Sequence, residues 1–411
     1  MSDDSDGRVL SGVRVLEVAA WTFVPSAGAV LAEWGAEVIK VEPREGGDPQ
    51  RGLVTSGIVQ GGAQVNYMIE VPNRGKKSIG IDLRTPGGRE VLLELARTAD
   101  VFLTSYLPSR RKRLGFDVDD VRAVNPNIVY VRGSGHGPKG PDSDKPGYDG
   151  VSYWSRGGIA TALTAATEGV PELVRSRPAF GDLLGGMTIA GGIAAALYKR
   201  ATTGVGSVVD VSLVGLAAWN LSPDIAVSRL NDGMPAPTFS HADAPNPLVN
   251  NYRTSDSRYI TLMMLQLDKF FAEAMTAIGL AQVITDERFS EPLPRYENRV
   301  ELIRMIDEAF AKRSLTEWRT ALADLSGAWG VVQTPGEVCE DPASVANGYI
   351  AKTATMDGVP FELAVNPVQF DEQHVVPPGA PEHGQHTEEI LMDAGLDWDR
   401  IQQLKDEGAV L

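Results

Sequence analysis

The segment Gly181-Asp182-Leu183-Leu184-Gly185-Gly186 sets one carboxylate between glycines just where a long, alanine-rich apolar run begins. A carboxylate in that setting can act as a nucleophile. The flanking glycines remove side-chain bulk, so a large substrate can approach the Asp182 oxygens and the nearby backbone N–H groups. A helix N-terminus at this point stabilises negative charge, both on Asp182 and on an oxyanion forming beside it. The competing structural role is an N-cap, the commonest use of an aspartate in front of a helix.

Other chemistries lack their usual residues. The chain has no G-x-S-x-G, H-E-x-x-H, P-loop or C-x-x-C pattern, which removes the sequence support for serine hydrolysis, zinc proteolysis, nucleotide hydrolysis and dithiol redox. His136 follows a predicted strand, and His383 and His386 form a pair without a third ligand, so no metal site is expected. Two basic clusters stand out in an acidic chain: Arg74, Lys76 and Lys77, and Arg110 to Arg113 close after Tyr106. They are either solvated faces or a phosphate-binding surface, with the Tyr106 ring available to a purine.

Composition narrows the class. A formal net charge of -16 argues against a nucleic-acid partner, which requires a basic face. The single cysteine, Cys339, excludes an internal disulfide framework and a cysteine metal cage. The N-terminus lacks a signal-peptide layout, and glycines, charges and prolines interrupt every apolar run short of the roughly 18 residues that span a membrane. A cytoplasmic protein with no membrane partner is the expectation.

The elements that must carry Asp182 follow from periodicity. Short apolar runs at Val13–Val18, Glu37–Val41, Ser78–Leu83, Asp100–Leu103 and Ile128–Val131 read as buried strands, and helical patterns at Pro25–Trp34 and Pro86–Thr98 lie between them. Alternation of this kind predicts an α/β fold, a Rossmann-like parallel sheet covered on both faces. Ligands of such sheets bind at the carboxyl ends of the strands, which gives priority to the loops after Val18, Leu103 and Val131. The first of these loops is not G-x-G-x-x-G, so a nicotinamide or flavin cofactor is unsupported. A helix from Gly181 to about Arg200 comes next. Repeated Pro, Asn and Asp over 221–249 mark a linker. The organisation expected is a large domain over 1–220, completed by 326–411, and a smaller α+β domain with its linker over 221–325.

The ordered motifs LSGVRVLEV, LAEWGAEVIKVEP, NRGKKSIGIDL, ADVFLTSYLPSRRKRLGF, NPNIVYVRGSGHGPKGP, KPGYDG, GDLLGG and TGVGSVVDVSLV together resemble the class III CoA-transferases, the CaiB/BaiF family. The resemblance covers nearly the whole chain. It implies that Asp182 is the nucleophile and that Asp149 of KPGYDG orients it. It also implies CoA contacts from Val24, Pro25, Arg74, Lys76, Tyr106, Arg113 and Lys139, and an interlocked homodimer. The substrates would be an acyl-CoA donor and a carboxylic acid acceptor, with coenzyme A as substrate and no tightly bound cofactor. Backbone N–H groups near Gly185 and Gly186 are the candidate oxyanion donors, and Tyr148, Tyr153, Trp154 and Trp219 are candidate walls against water. The chain departs from the family pattern at Ser105-Tyr106 and Pro43-Arg44, and 221–249 lacks a run of glycines to close the site. Tyr148 stands where racemases of the family carry a histidine. An acyl-CoA racemase and a catalytically silent CoA-binding protein are therefore the alternatives to a transferase.

Overall fold

The structure, a computed structural model, describes residues 7–55, 65–164, 172–234 and 239–411. They divide into two units. One is built from the described residues of Met1–Thr164, Glu172–Leu230 and Ala343–Leu411, the other from those of Asn231–Pro342.

The first unit centres on a six-stranded sheet of β1 (Arg14–Val18), β2 (Glu37–Pro43), β3 (Lys77–Ile81), β4 (Val101–Thr104), β5 (Val129–Ser134) and β6 (Val208–Ser212), in the order β3-β2-β1-β4-β5-β6. All neighbours are parallel. The strands are largely apolar, with buried Glu17, Lys40 and Glu42 as exceptions, because successive side chains enter two different cores. Val15, Val101, Leu103, Val129 and Val131 face one, while Leu16, Phe102 and Tyr130 face the other.

Helices of this unit include α1 (Phe23–Glu33), α2 (Pro86–Thr98), α3 (Pro108–Leu114), α4 (Phe180–Thr203), α5 (Thr387–Asp393) and α6 (Trp398–Asp406). Helices α1 and α4 contribute to the first core, and α2, α5 and α6 to the second. Pro86 opens α2, and the Thr85 hydroxyl caps it by accepting from Gly88 N–H at 3.0 Å. Among the described helices α4 alone is long and apolar enough to cross a membrane, yet its Ile189, Ala190 and Ile193 are fully buried in the first core. The strand order reverses between β1 and β4, so a crevice opens at their carboxyl ends.

The C-terminal segment closes the outer edge of β3. Leu411 N–H donates to Gly80 O at 3.1 Å and Asp82 N–H to Ala409 O at 2.8 Å, so part of the strand's free edge is satisfied within the chain. His383 and His386 belong to this join: one ring lies 2.8 Å from the Pro43 carbonyl, and the other accepts from Ser78 N–H at 3.2 Å. No group of three or more His, Cys, Asp or Glu among the described residues is arranged to hold a metal ion.

The second unit has a three-stranded antiparallel sheet of β7 (Val249–Arg253), β8 (Tyr259–Met263) and β9 (Trp329–Val331). Helices Leu267–Ile278, Arg299–Phe310 and Leu315–Ala321 pack with it around Tyr252, Phe310 and Trp318.

Some elements differ from the sequence reading. Residues 221–249 contain a helix, Ser222–Leu230, which belongs with the first unit. The second unit continues to Pro342, beyond the expected boundary at 325, because β9 pairs with β8. The two C-terminal helices α5 and α6 are separated at Gly395, whose φ of +89° ends the first.

Candidate active site

Asp182 lies in the first turn of α4, half-buried, and its side chain caps nothing: the N-cap position is Ala179, at a left-handed φ of 57°. The carboxylate that serves the helix end is Asp149. Its Oδ2 accepts from Gly181 N–H at 3.2 Å, and the N–H groups of Phe180 and Asp182 also favour its charged form. Asp149 itself begins a π-helical turn, Gly150–Arg156. Gly181 has no room for a side chain, since a Cβ would stand 2.4 Å from the Tyr153 ring and 2.7 Å from Asp149 Oδ1.

Burial raises both carboxyl pKa values. Asp182 is pushed from 3.8 to about 7, first by desolvation and then by the negative charge of Asp149. Asp149 rises to about 6 through desolvation, opposed by its backbone donors. Two carboxyl groups in one poorly solvated place cannot both ionise cheaply, so they titrate as a pair. A carboxylate deprived of water is also a better nucleophile than a hydrated one.

Asp182 lines a cleft of about 290 Å³ at the carboxyl ends of the strands. Its walls come from the three loops that sequence analysis placed first: Ala20 and Trp21 after β1, Ser105 and Tyr106 after β4, and Ser134 and Gly135 at the end of β5. Tyr148 and Phe23 also face it. A second cleft of about 370 Å³ shares Pro43, Tyr106 and Arg110 with the first and adds Arg44, Arg84 and Arg113. Arg110 lies over the Tyr106 ring, 4.7 Å from its centroid. Neither Arg110 nor Arg113 forms an ion pair with a described carboxylate, although Glu42, Glu45 and Asp82 also line the second cleft; through the three shared residues the two clefts form a groove from these arginines to Asp182.

Comparison with known proteins bears on this arrangement. The family described as CoA-transferase family III matches residues 10–387. The chain belongs to that family. Full-length relatives include an (R)-2-hydroxy-4-methylpentanoate CoA-transferase of Clostridioides difficile, 31% identical over 98% of this chain and 99% of the relative. Another is the cinnamoyl-CoA:phenyllactate CoA-transferase of Clostridium sporogenes, 30% identical over 99% of this chain and 98% of the relative. A solved CaiB/BaiF family protein from Brucella suis superposes with a TM-score of 0.79 at 28% identity, covering 94% of this chain and 99% of that one. The protein is therefore an enzyme, a family III CoA-transferase acting on acyl-CoA.

Several residues that the resemblance assigned to the site of this transferase lie elsewhere. Val24 is fully buried in α1, and its methyl fills the space a side chain at Gly133 would need. Pro25 is buried too, and its carbonyl accepts from Lys76 Nζ at 2.8 Å. Lys76 is itself buried and ion-paired with Glu17 at 2.8 Å, and Arg74 is buried against Glu33. Both cations are neutralised inside the protein and have no charge to offer a phosphate. Lys139 is exposed but lines neither cleft. Tyr106 and Arg113 do line the groove.

Gly185 and Gly186 also serve a different end. A Cβ on Gly185 would stand 2.3 Å from the Phe23 ring, and one on Gly186 2.4 Å from Ser26 Cβ. They are glycines so that α4 can press against α1. Their N–H groups lie beyond the first turn, inside the helix ladder, and are not available to an oxyanion. Of the four aromatic wall candidates Tyr148 alone lines the cleft; Tyr153 and Trp154 are core and Trp219 is exposed away from it. Trp21 is a wall that sequence reasoning passed over. Its signal was its place in the loop after the first strand.

Proposed function

We propose that the enzyme moves CoA from an acyl-CoA to a free carboxylic acid through covalent intermediates on Asp182. An Asp182 carboxylate oxygen attacks the thioester carbonyl carbon, and collapse of the tetrahedral oxyanion expels CoA thiolate and leaves an acyl-aspartyl anhydride. The thiolate then attacks the aspartyl carbonyl of that anhydride, releasing the donor acid and forming an aspartyl-CoA thioester. The acceptor carboxylate attacks the same aspartyl carbonyl and expels thiolate. Attack of thiolate on the new acyl carbon yields the product acyl-CoA and free Asp182. No redox step or metal is required.

The observation carrying this reading is the groove that joins Asp182 to the unpaired Arg110 and Arg113. CoA would lie along it, with phosphates at the arginines, adenine against Tyr106 and the thioester at Asp182. Asp149 holds the first N–H groups of α4, and its charge adds to the burial that raises the Asp182 pKa. Incubation with acyl-CoA should give a mass adduct on the peptide containing Asp182, and Asp182→Ala should lower exchange by roughly a thousandfold or more, as expected for loss of a nucleophile. Retention of about a tenth of the activity would refute the assignment, because that loss is far too small for a missing nucleophile.

A cytoplasmic homodimer belongs to the same proposal. Tyr198 of α4 is 73% exposed, Trp219 77% and Leu230 83%, large apolar side chains that a second copy would cover. Light scattering after size exclusion tests the dimer.

A further inference from the structure

We infer that Trp21, braced by Tyr148, selects apolar monocarboxylic acyl groups, so that acids bearing a second carboxylate are poor substrates; this rests on the transferase reading above. Trp21 sits at the carboxyl end of β1 with φ of +69°, a region that bulky L residues rarely occupy. Strain of this kind persists only where the surroundings impose it, and it gathers at ligand sites. Here the restraint is buried and charged. Trp21 N–H donates to Asp48 Oδ1 at 3.3 Å, and Asp48 is buried and ion-paired with the fully buried Lys40 at 2.9 Å. The neighbouring Ala20 N–H donates to Ser105 Oγ at 3.2 Å, tying the loop to the next strand end.

The effect of this restraint is to set the indole in the cleft wall. Its ring meets the Tyr148 ring edge to face, with centroids 5.5 Å apart, and both line the cleft with Asp182. Tyr148 directly precedes Asp149, which holds the residue next to Asp182, so the aromatic pair stands beside the reacting carboxyl group. Phe23 reaches the same place from α1, packed on Gly185 one turn beyond Asp182. Among the described residues lining this cleft the one cation is Arg110, at the Tyr106 end it shares with the second cleft. An acyl group with a second carboxylate would thus bring an unpaired charge against aromatic walls and toward two acidic side chains. A branched or aryl chain would instead bury its surface on Trp21, Tyr148 and Phe23.

The test is a competition assay on the full-length enzyme, with acetyl-CoA, butanoyl-CoA and 3-methylbutanoyl-CoA as donors and an equimolar mixture of 3-phenylpropanoate, 4-methylpentanoate, propanoate and glutarate as acceptors. Product thioesters are separated and quantified by mass spectrometry. The wild type should favour 3-phenylpropanoate or 4-methylpentanoate over glutarate by about 100-fold or more, the discrimination expected when a buried charge goes unpaired. In Trp21→Ala the preference for 3-phenylpropanoate over propanoate should fall by about tenfold or more, and Trp21→Phe should fall less. Tyr148→Arg, at a half-exposed position, should raise glutarate relative to 3-phenylpropanoate by about tenfold or more. These ratios compare acids on the same molecules, so they do not depend on the fraction of a variant that folds. Glutarate used as well as the apolar acids, or an unchanged ratio in Trp21→Ala, would overturn the inference and leave the transferase reading standing. No exchange from any donor would overturn that reading and this inference with it.

Discussion

Replacing Asp182 by asparagine removes a negative charge that folding leaves poorly hydrated, so it should stabilise the protein while abolishing transfer. The folded carboxyl group holds its proton up to about pH 7, whereas an aspartate in the unfolded chain releases it near 3.8. Between those values the native state binds more protons than the unfolded state, and stability falls as pH rises through the window. A tenfold change in acidity is worth about 1.4 kcal/mol, so the interval sets a ceiling near 4 kcal/mol, roughly, above pH 7. Asp182 is half-buried and open to the cleft, so solvent screening reduces this to roughly 1–2 kcal/mol. The expected gain in apparent melting temperature for Asp182→Asn is roughly 1–3 °C near pH 8 and close to zero near pH 4, where both side chains are uncharged in the folded protein. Scanning fluorimetry of wild type and variant across this range reads it directly. A gain equal at both ends, or a loss near pH 8, would show that Asp182 is not destabilised by burial. Activity of the wild type should move the opposite way, rising as the carboxylate forms.

Asp149→Asn should lower the pH at which activity rises, because a like charge beside Asp182 is gone, and should cost about 1 kcal/mol through a weaker acceptor at the start of α4; a pH profile of kcat/KM and a denaturation curve check the two effects. Gly185→Ala should destabilise by about 1–3 kcal/mol, because the added methyl meets the Phe23 ring. A stable variant with reduced kcat would return Gly185 to the oxyanion role. Arg110→Glu should raise KM for acyl-CoA by about tenfold or more, with added salt shrinking the difference from wild type. Arg74→Ala should leave KM unchanged and cost about 3–5 kcal/mol, because it strands Glu33 as a buried charge.

Much of the large domain could be read from neighbouring residues. Strands such as Val101–Thr104 announce themselves because a parallel strand buried on both faces is mostly apolar, and that signal sits within a few residues. Asp182 was legible for the same reason: its glycines and the helix it enters are adjacent in the chain. The crevice at the carboxyl ends followed from the alternation of strands and helices, although the strand order that places it between β1 and β4 did not.

Tertiary structure decided which of the visible groups are free to act. Arg74 and Arg110 both appear in basic clusters, yet the first is neutralised by Glu33, 41 residues away, and the second meets no carboxylate among the described residues. Lys76 is likewise spent on Glu17, 59 residues away. The carboxylate that serves the α4 N-terminus is Asp149, 32 residues before Gly181, and not the aspartate in the helix itself. Gly185 and Gly186 record the approach of α1, and Trp21 at its left-handed φ donates its N–H to Asp48, 27 residues away. Local pattern specifies what a residue prefers by itself; the charge left uncompensated, the space left open and the strain imposed are sums over neighbours that folding brings together.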